Sequence, residues 1–200
     1  MRSQGARLRG IALSQAVVLL AVLTVPARAA MQPAAARRSP ETQQVYDALD
    51  RLRRAEKEPP AAVLRNFILT EQEMNAYIGH RIRTEKSGPL RELKLKFLPG
   101  SLVEGMIDLD LAGIGAPAFL PTGLQFFFSG RLMMREAQVK FEVEQLFLGM
   151  KPVPVFLLNL AFYIASKTQK HGSASLADWQ DLPLGLKEVA GEKGRLILRY

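Results

Sequence analysis

Chemistry needs particular side chains in reach of one another, and few are on offer here. The chain holds two histidines, His80 and His171, and no cysteine. A thiol nucleophile, a thiolate metal site and a disulfide are therefore all unavailable. No H-E-x-x-H pair, no G-x-S-x-G elbow and no Walker-type phosphate loop occurs. His80 lies in Gly79-His80-Arg81, read as an exposed helix end, and His171 reads as a cation at a helix C-terminus. Glu71 and Glu73 stand two apart and so do not share a helix face. Asp108 and Asp110 fall on the polar face of an expected strand, either solvated or paired with lysines, or else catalytic or calcium-binding. Neither resembles a calcium loop. Asn75 has two readings, a surface residue or a hydrogen-bonding partner for a buried strand end. The chain reads as a non-enzyme, with no catalytic residue, no metal and no cofactor.

What remains is apolar. Phe119, Phe126, Phe127, Phe128, Phe141, Phe147, Phe156 and Phe162 are concentrated in one part of the sequence. They are either ordinary core or the lining of a groove for a hydrophobic ligand, since small apolar ligands are held in mostly apolar cavities with few polar groups. The groove reading selects Phe97, Ile107, Phe126, Phe128, Phe141, Phe156, Leu160 and Phe162. Arg51, Arg53, Arg54 and Lys57 on an expected first helix are either a solvated face or a contact for acidic headgroups or a partner.

These side chains need elements to place them. Residues 1–29 have the layout of a secretory signal: Arg2, Arg7 and Arg9, an apolar stretch from Ile11 to Val25, then Ala27-Arg28-Ala29 as a cleavage site. The expected location is the periplasm or another extracytoplasmic space. Residues 30–40 read as a flexible leader and 41–200 as one domain. The signal carries four arginines and no acid, so the net charge of +8 falls to +4 without it. That excludes a nucleic-acid binder on charge alone and leaves an anionic membrane surface possible as a partner.

Residues 41–58 are expected as a helix. Val45, Ala48, Leu49, Leu52 and Ala55 make its apolar stripe, Asp47–Arg51 and Asp50–Arg54 its i,i+4 pairs, and Pro59-Pro60 its end. Residues 61–69 lead as a short strand into a second helix. Thr70-Glu71-Gln72-Glu73 is a capping box, and Met74, Tyr77 and Ile78 form the buried face.

Residues 90–111 predict a hairpin. Leu93, Leu95 and Phe97 alternate with charge, as do Val103, Ile107 and Leu109. A turn at Pro99-Gly100-Ser101 pairs Phe97 with Val103, Leu93 with Ile107 and Lys96 with Glu104, and sets Gly105 opposite Leu95. Residues 124–148 predict a second hairpin around the loop 135–138. It pairs Met134 with Val139, Leu132 with Phe141, Gly130 with Val143 and Arg131 with Glu142. A glycine on each apolar face suggests a long, strongly bent antiparallel sheet. Pro152 and Pro154 are expected to end the strand. An apolar helix is then expected to run to about Thr168, with an 11-residue run, Val155 to Ala165, apolar except at Asn159. A bilayer span needs about 20. Residues 173–185 read as a loop with Trp179, and 194–200 as a closing strand. The fold class is α+β: a long bent antiparallel sheet of hairpins packed on an apolar helix, with N-terminal helices.

Four features together resemble the small exported bacterial proteins with a TULIP-like (tubular lipid-binding) fold. They are Phe67-Ile68-Leu69-Thr70-Glu71-Gln72-Glu73-Met74-Asn75, the glycines Gly105 and Gly130 on apolar faces, the junction Lys151-Pro152-Val153-Pro154, and Leu182-Pro183 before a closing strand. The resemblance implies a sheet wrapped around a helix, a groove that holds lipid and no catalytic residues. The expectation is an envelope protein that binds a lipid or other hydrophobic small molecule. The alternative is an envelope scaffold or interaction module with a solid core.

Overall fold

Ser39 and Pro40 begin the first helix. The Ser39 hydroxyl accepts the Thr42 amide at 3.3 Å, and Pro40 takes a first-turn position where its missing N–H costs nothing. Helix α1 spans Pro40–Ala55. Val45, Ala48, Leu49 and Leu52 are buried, as their spacing predicts. Burial of each of the three larger ones contributes roughly 2 kcal/mol. The expected i,i+4 pairs are replaced: Asp50 binds Arg53 at 2.8 Å and Asp47 accepts from Gln43 at 2.8 Å.

The computed structural model describes residues 38–57, 64–85, 90–112, 122–157 and 179–200. The expected signal segment, residues 30–37 of the expected leader, Pro59-Pro60, Phe119, the expected apolar helix beyond Leu157 with Leu160 and Phe162, and His171 lie outside the described residues.

Strand β1 (Asn66–Thr70) leads straight into helix α2 (Glu71–Glu85). The capping box forms: Thr70 N–H donates to Glu73 Oε2 at 2.7 Å, and Glu73 N–H donates to Thr70 Oγ1 at 3.2 Å. Met74, Tyr77 and Ile78 are buried. The helix does not fade at Gly79. His80 is therefore well inside it and only 9% exposed, against the expectation of a solvent-facing end.

The first hairpin is β2 (Leu90–Leu98) and β3 (Leu102–Asp110), with a single 3-10 turn at Pro99–Ser101. Phe97 pairs with Val103, Leu93 with Ile107, Leu95 with Gly105, and Lys96 with Glu104, whose side chains meet at 3.2 Å. The second hairpin is β4 (Gly123–Arg135) and β5 (Gln138–Leu148). Its register is also the expected one around the turn. One residue then breaks it. Ser129 pairs with Gln145 and Gly130 with Val143, so Glu144 is the extra residue of a bulge. Arg131 consequently reaches Glu144 at 3.4 Å, although Glu142 is its Cα partner.

After Gly149 (φ 58°) the chain doubles back. Lys151–Pro152 is a short strand, β6, paired with Leu148 and Phe147. Pro152 thus sits in a strand, where it was expected to end one. It is on the sheet edge, where a missing N–H is tolerated. Gln180–Asp181, expected as loop, is strand β7 on the Gln138–Val139 end of β5. These strands form a six-stranded antiparallel sheet, β2-β3-β4-β5-β6 with β7 also on β5.

Strands β8 (Glu188–Glu192) and β9 (Arg195–Arg199) complete a second, three-stranded antiparallel sheet in the order β1-β9-β8. Strand β8 was not expected. Among the described residues the fold is α+β, mostly strand, with two helices. Buried residues of α1, α2, the inner face of β2–β5, and Leu186, Val189, Leu196 and Leu198 belong to one core.

Candidate apolar site and the sealed edge of β2

The alternation of β2 through β5 puts Phe97, Ile107, Phe126, Phe128 and Phe141 on one face. All five are buried, at 1% to 8% exposure. Phe127, one residue out of phase, is 40% exposed on the other face. The two glycines explain how five bulky residues fit. A β-carbon on Gly105 would collide with the Phe128 ring, with Cε1 at 2.6 Å. One on Gly130 would meet Phe141 Cζ at 2.7 Å. Each ring therefore lies in the volume that its glycine leaves free. The rings also pack edge to face, with centroids 5.7 Å apart at 82°. Such aromatic pairs add about 1 kcal/mol beyond their burial.

Phe156 does not join them. Val153 and Val155 pack against the core, so Pro154 and Phe156 point the other way, and Phe156 is 63% exposed. Met150, in the turn before β6, is 96% exposed. A helical turn begins here, with Leu157 N–H donating to the Pro154 carbonyl at 3.0 Å. The expected groove set is thus divided. Five members share a buried face, Phe156 lies outside it, and Leu160 and Phe162 lie outside the described residues.

Of the basic set, Arg51 and Arg54 are exposed on α1, Lys57 is exposed just past its end, and Arg53 is half-buried and tied to Asp50. Asp110 accepts the Ala112 amide at 2.9 Å and pairs with Arg91, where a lysine was expected. These two contacts hold its carboxyl below the usual carboxylate range. Among the described residues, no three His, Asp or Glu side chains are placed to hold a metal ion, and no helix is long and apolar enough to cross a membrane.

Asn75 takes the second of its two readings. Its Nδ2 donates to the Leu95 carbonyl at 2.8 Å, and its Oδ1 accepts the Leu95 amide at 2.8 Å. It does for β2 what a neighbouring strand would do. Glu71 does the same two residues on, accepting the Phe97 amide at 3.0 Å. The Phe97 carbonyl accepts Gly194 N–H at 2.9 Å, and the Gly194 carbonyl accepts Glu71 N–H at 2.9 Å. The role of Glu71 was missed in the sequence. The available signal was its i,i+4 spacing from Asn75, which puts both on one helix face.

The histidine sits nearby in α2. His80 packs against Tyr46 of α1, edge to face at 6.1 Å, and Tyr46 packs against Tyr77 at 5.1 Å. Burial, and then the positive charge of Arg38, Arg83 and Arg81, lowers its pKa. His80 is thus a buried residue at the contact of α1 and α2, with its neutral form favoured.

No family model matches the chain, and no curated protein or solved structure shows significant similarity to it.

Proposed function

We propose that this is a non-enzymatic exported protein of the cell envelope that binds a lipid or another hydrophobic ligand. One observation carries the reading. Two large apolar side chains, Met150 and Phe156, stand in water on either side of β6, at the entry to the 11-residue apolar run 155–165. Exposed apolar surface of this kind is characteristic of interaction sites. In this reading the ligand meets this end of the sheet, and the buried Phe128 and Phe141 rings support it from within. The finer picture of a sheet bent around the apolar segment, as in TULIP-like proteins, belongs to this proposal. So do the signal peptide, and the use of Arg51, Arg54 and Lys57 against an anionic headgroup or membrane surface. Native mass spectrometry of the protein purified from envelope extracts tests it. A bound lipid mass is expected, and it should diminish in Phe156→Glu. Only the bare chain mass would count against the proposal.

A second reading, an envelope scaffold or interaction module with a solid core, is favoured by the fit of Phe128 and Phe141 into the space at Gly105 and Gly130. In that case the basic face of α1 is the contact. Replacing Arg51, Arg53 and Arg54 with Glu should then abolish partner capture and leave the fold intact, and Phe156→Glu should change nothing.

A further inference from the structure

Among the described residues the outer strands are β1 and β8 of the small sheet and β2, β6 and β7 of the large one, and on β2 and β8 outward backbone groups are taken up by neighbouring elements. The β2 edge is closed by Asn75, Glu71 and Gly194. On β8, the Gly191 amide is taken by Ser101 Oγ at 3.2 Å. At β1 the described residues supply no such contact. Arg65 exchanges both backbone hydrogen bonds with Tyr200, at 2.9 and 3.0 Å, and Glu71 N–H reaches Gly194. The backbone groups of Arg65, Phe67 and Leu69 therefore face β9, and those of Leu64, Asn66 and Ile68 face away from it. Thr70 N–H is used by Glu73. Among the described residues nothing meets the outward groups of Leu64, Asn66 and Ile68.

Natural edges of this kind carry a proline, a lysine, a bulge or a covering element. Asn-Phe-Ile-Leu-Thr has none of the first three, and its register with β9 is unbroken. It instead shows water two large apolar side chains, Leu64 at 56% exposure and Ile68 at 48%. They are spaced evenly about Asn66. We infer that β1 is the surface through which two copies of this chain pair, edge to edge and antiparallel, about a two-fold axis at Asn66.

The register follows from the pattern. Setting Asn66 opposite Asn66 of the second copy places Leu64 opposite Ile68, and Ile68 opposite Leu64. All three outward residues of each copy then fall in hydrogen-bonded pairs. Arg65, the one charged residue within this stretch, faces Phe67 of the second copy, so no like charges meet. Moving the axis to Phe67 would put Ile68 against Asn66 and Leu64 against Thr70, which loses both apolar pairs. Such a contact is isologous and closes on itself, so it yields a dimer and no longer polymer. The two three-stranded sheets become one continuous sheet with the order β8-β9-β1-β1-β9-β8.

Light scattering on the purified full protein over a concentration series reads the assembly directly. Twice the chain mass is expected for the wild type and the single chain mass for Ile68→Lys, with a cooperative thermal melt showing that the Ile68→Lys chain is folded and a Tm that no longer depends on concentration. In a chain without cysteine, a nitroxide on Asn66→Cys should couple at contact range to its counterpart, and one on Gln44→Cys, exposed on α1, should not. A monomer at every concentration overturns the inference. So does a folded Ile68→Lys dimer, or a dimer in which the labels at Asn66 do not couple. The outcome is independent of whether a lipid is bound.

Discussion

Phe128 lies across Gly105 from the neighbouring strand, with its ring in the place where a β-carbon would stand. Gly105→Ala should therefore displace the ring, at a cost of about 2 kcal/mol, within the range for overpacked cores. Urea denaturation reads the loss. Gly105→Ala combined with Phe128→Leu should cost less than the two single changes added together, because the smaller side chain removes the ring collision; the cost that remains comes from the Lys94 carbonyl, 2.8 Å from the same β-carbon. Additive costs would show that the glycine is needed for some other reason.

Asn75 supplies both a donor and an acceptor to Leu95. Asn75→Ala should destabilise by about 2 kcal/mol, since two backbone groups lose their partner where water has limited access. Hydrogen exchange at the Leu95 amide should quicken selectively. Asn75→Asp keeps the acceptor but turns a second oxygen towards the Leu95 carbonyl, so it should rescue little. If the Leu95 amide exchanged no faster in Asn75→Ala, the edge-sealing role would be wrong.

The β4–β5 turn is made by Glu136 and Ala137, both with positive φ, at 47° and 59°. This is the backbone of a type I′ turn, which Asn-Gly suits and bulkier residues do not. Glu136→Asn with Ala137→Gly should stabilise the protein by about 1 kcal/mol. A thermal melt should show a rise in Tm. A fall would mean that the turn is not of this type in solution.

His80 gives the protein a dependence on pH with a definite sign. Its folded pKa lies below the ordinary 6.5, chiefly through burial and also through Arg38, Arg83 and Arg81. The unfolded chain therefore takes up a proton at a higher pH than the folded one. The stability contributed by the neutral ring is present above about 6.5 and is lost as pH falls from there towards the folded pKa. His80→Gln should flatten the stability profile in that window. An unchanged slope between pH 7 and pH 5, roughly the interval over which histidine titrates, would refute the assignment.

Much of the large sheet could be read from the sequence, because each hairpin carries its register on both faces. Leu93 and Phe97 have apolar partners at the right distance from a three-residue turn, and Lys96 finds Glu104 on the reverse face. What could not be read depends on partners far away in the chain. Strand β8 has only Val189 and Leu186 nearby as apolar markers, and one of its outward amides is satisfied by Ser101. His80 looks like a polar helix end until Tyr46 of α1 covers it. The candidate site divides in the same way. The buried phenylalanines follow from strand alternation, whereas the exposure of Phe156 depends on β6, a two-residue strand too short to leave a periodic signal.

Strand β9 lies between β1 and β8 but follows both in sequence. During synthesis, Asn66–Thr70 and Glu188–Glu192 therefore emerge before the strand that joins them. The β1 ladder waits for Arg195–Arg199, and such long-range pairing is intrinsically slow. The Gly194 link that helps close β2 waits as well. Until β9 arrives, the nascent chain has a preformable hairpin region and an unfinished frame. A chain built in this order keeps β1 and β8 unjoined until Arg195–Arg199 has been made.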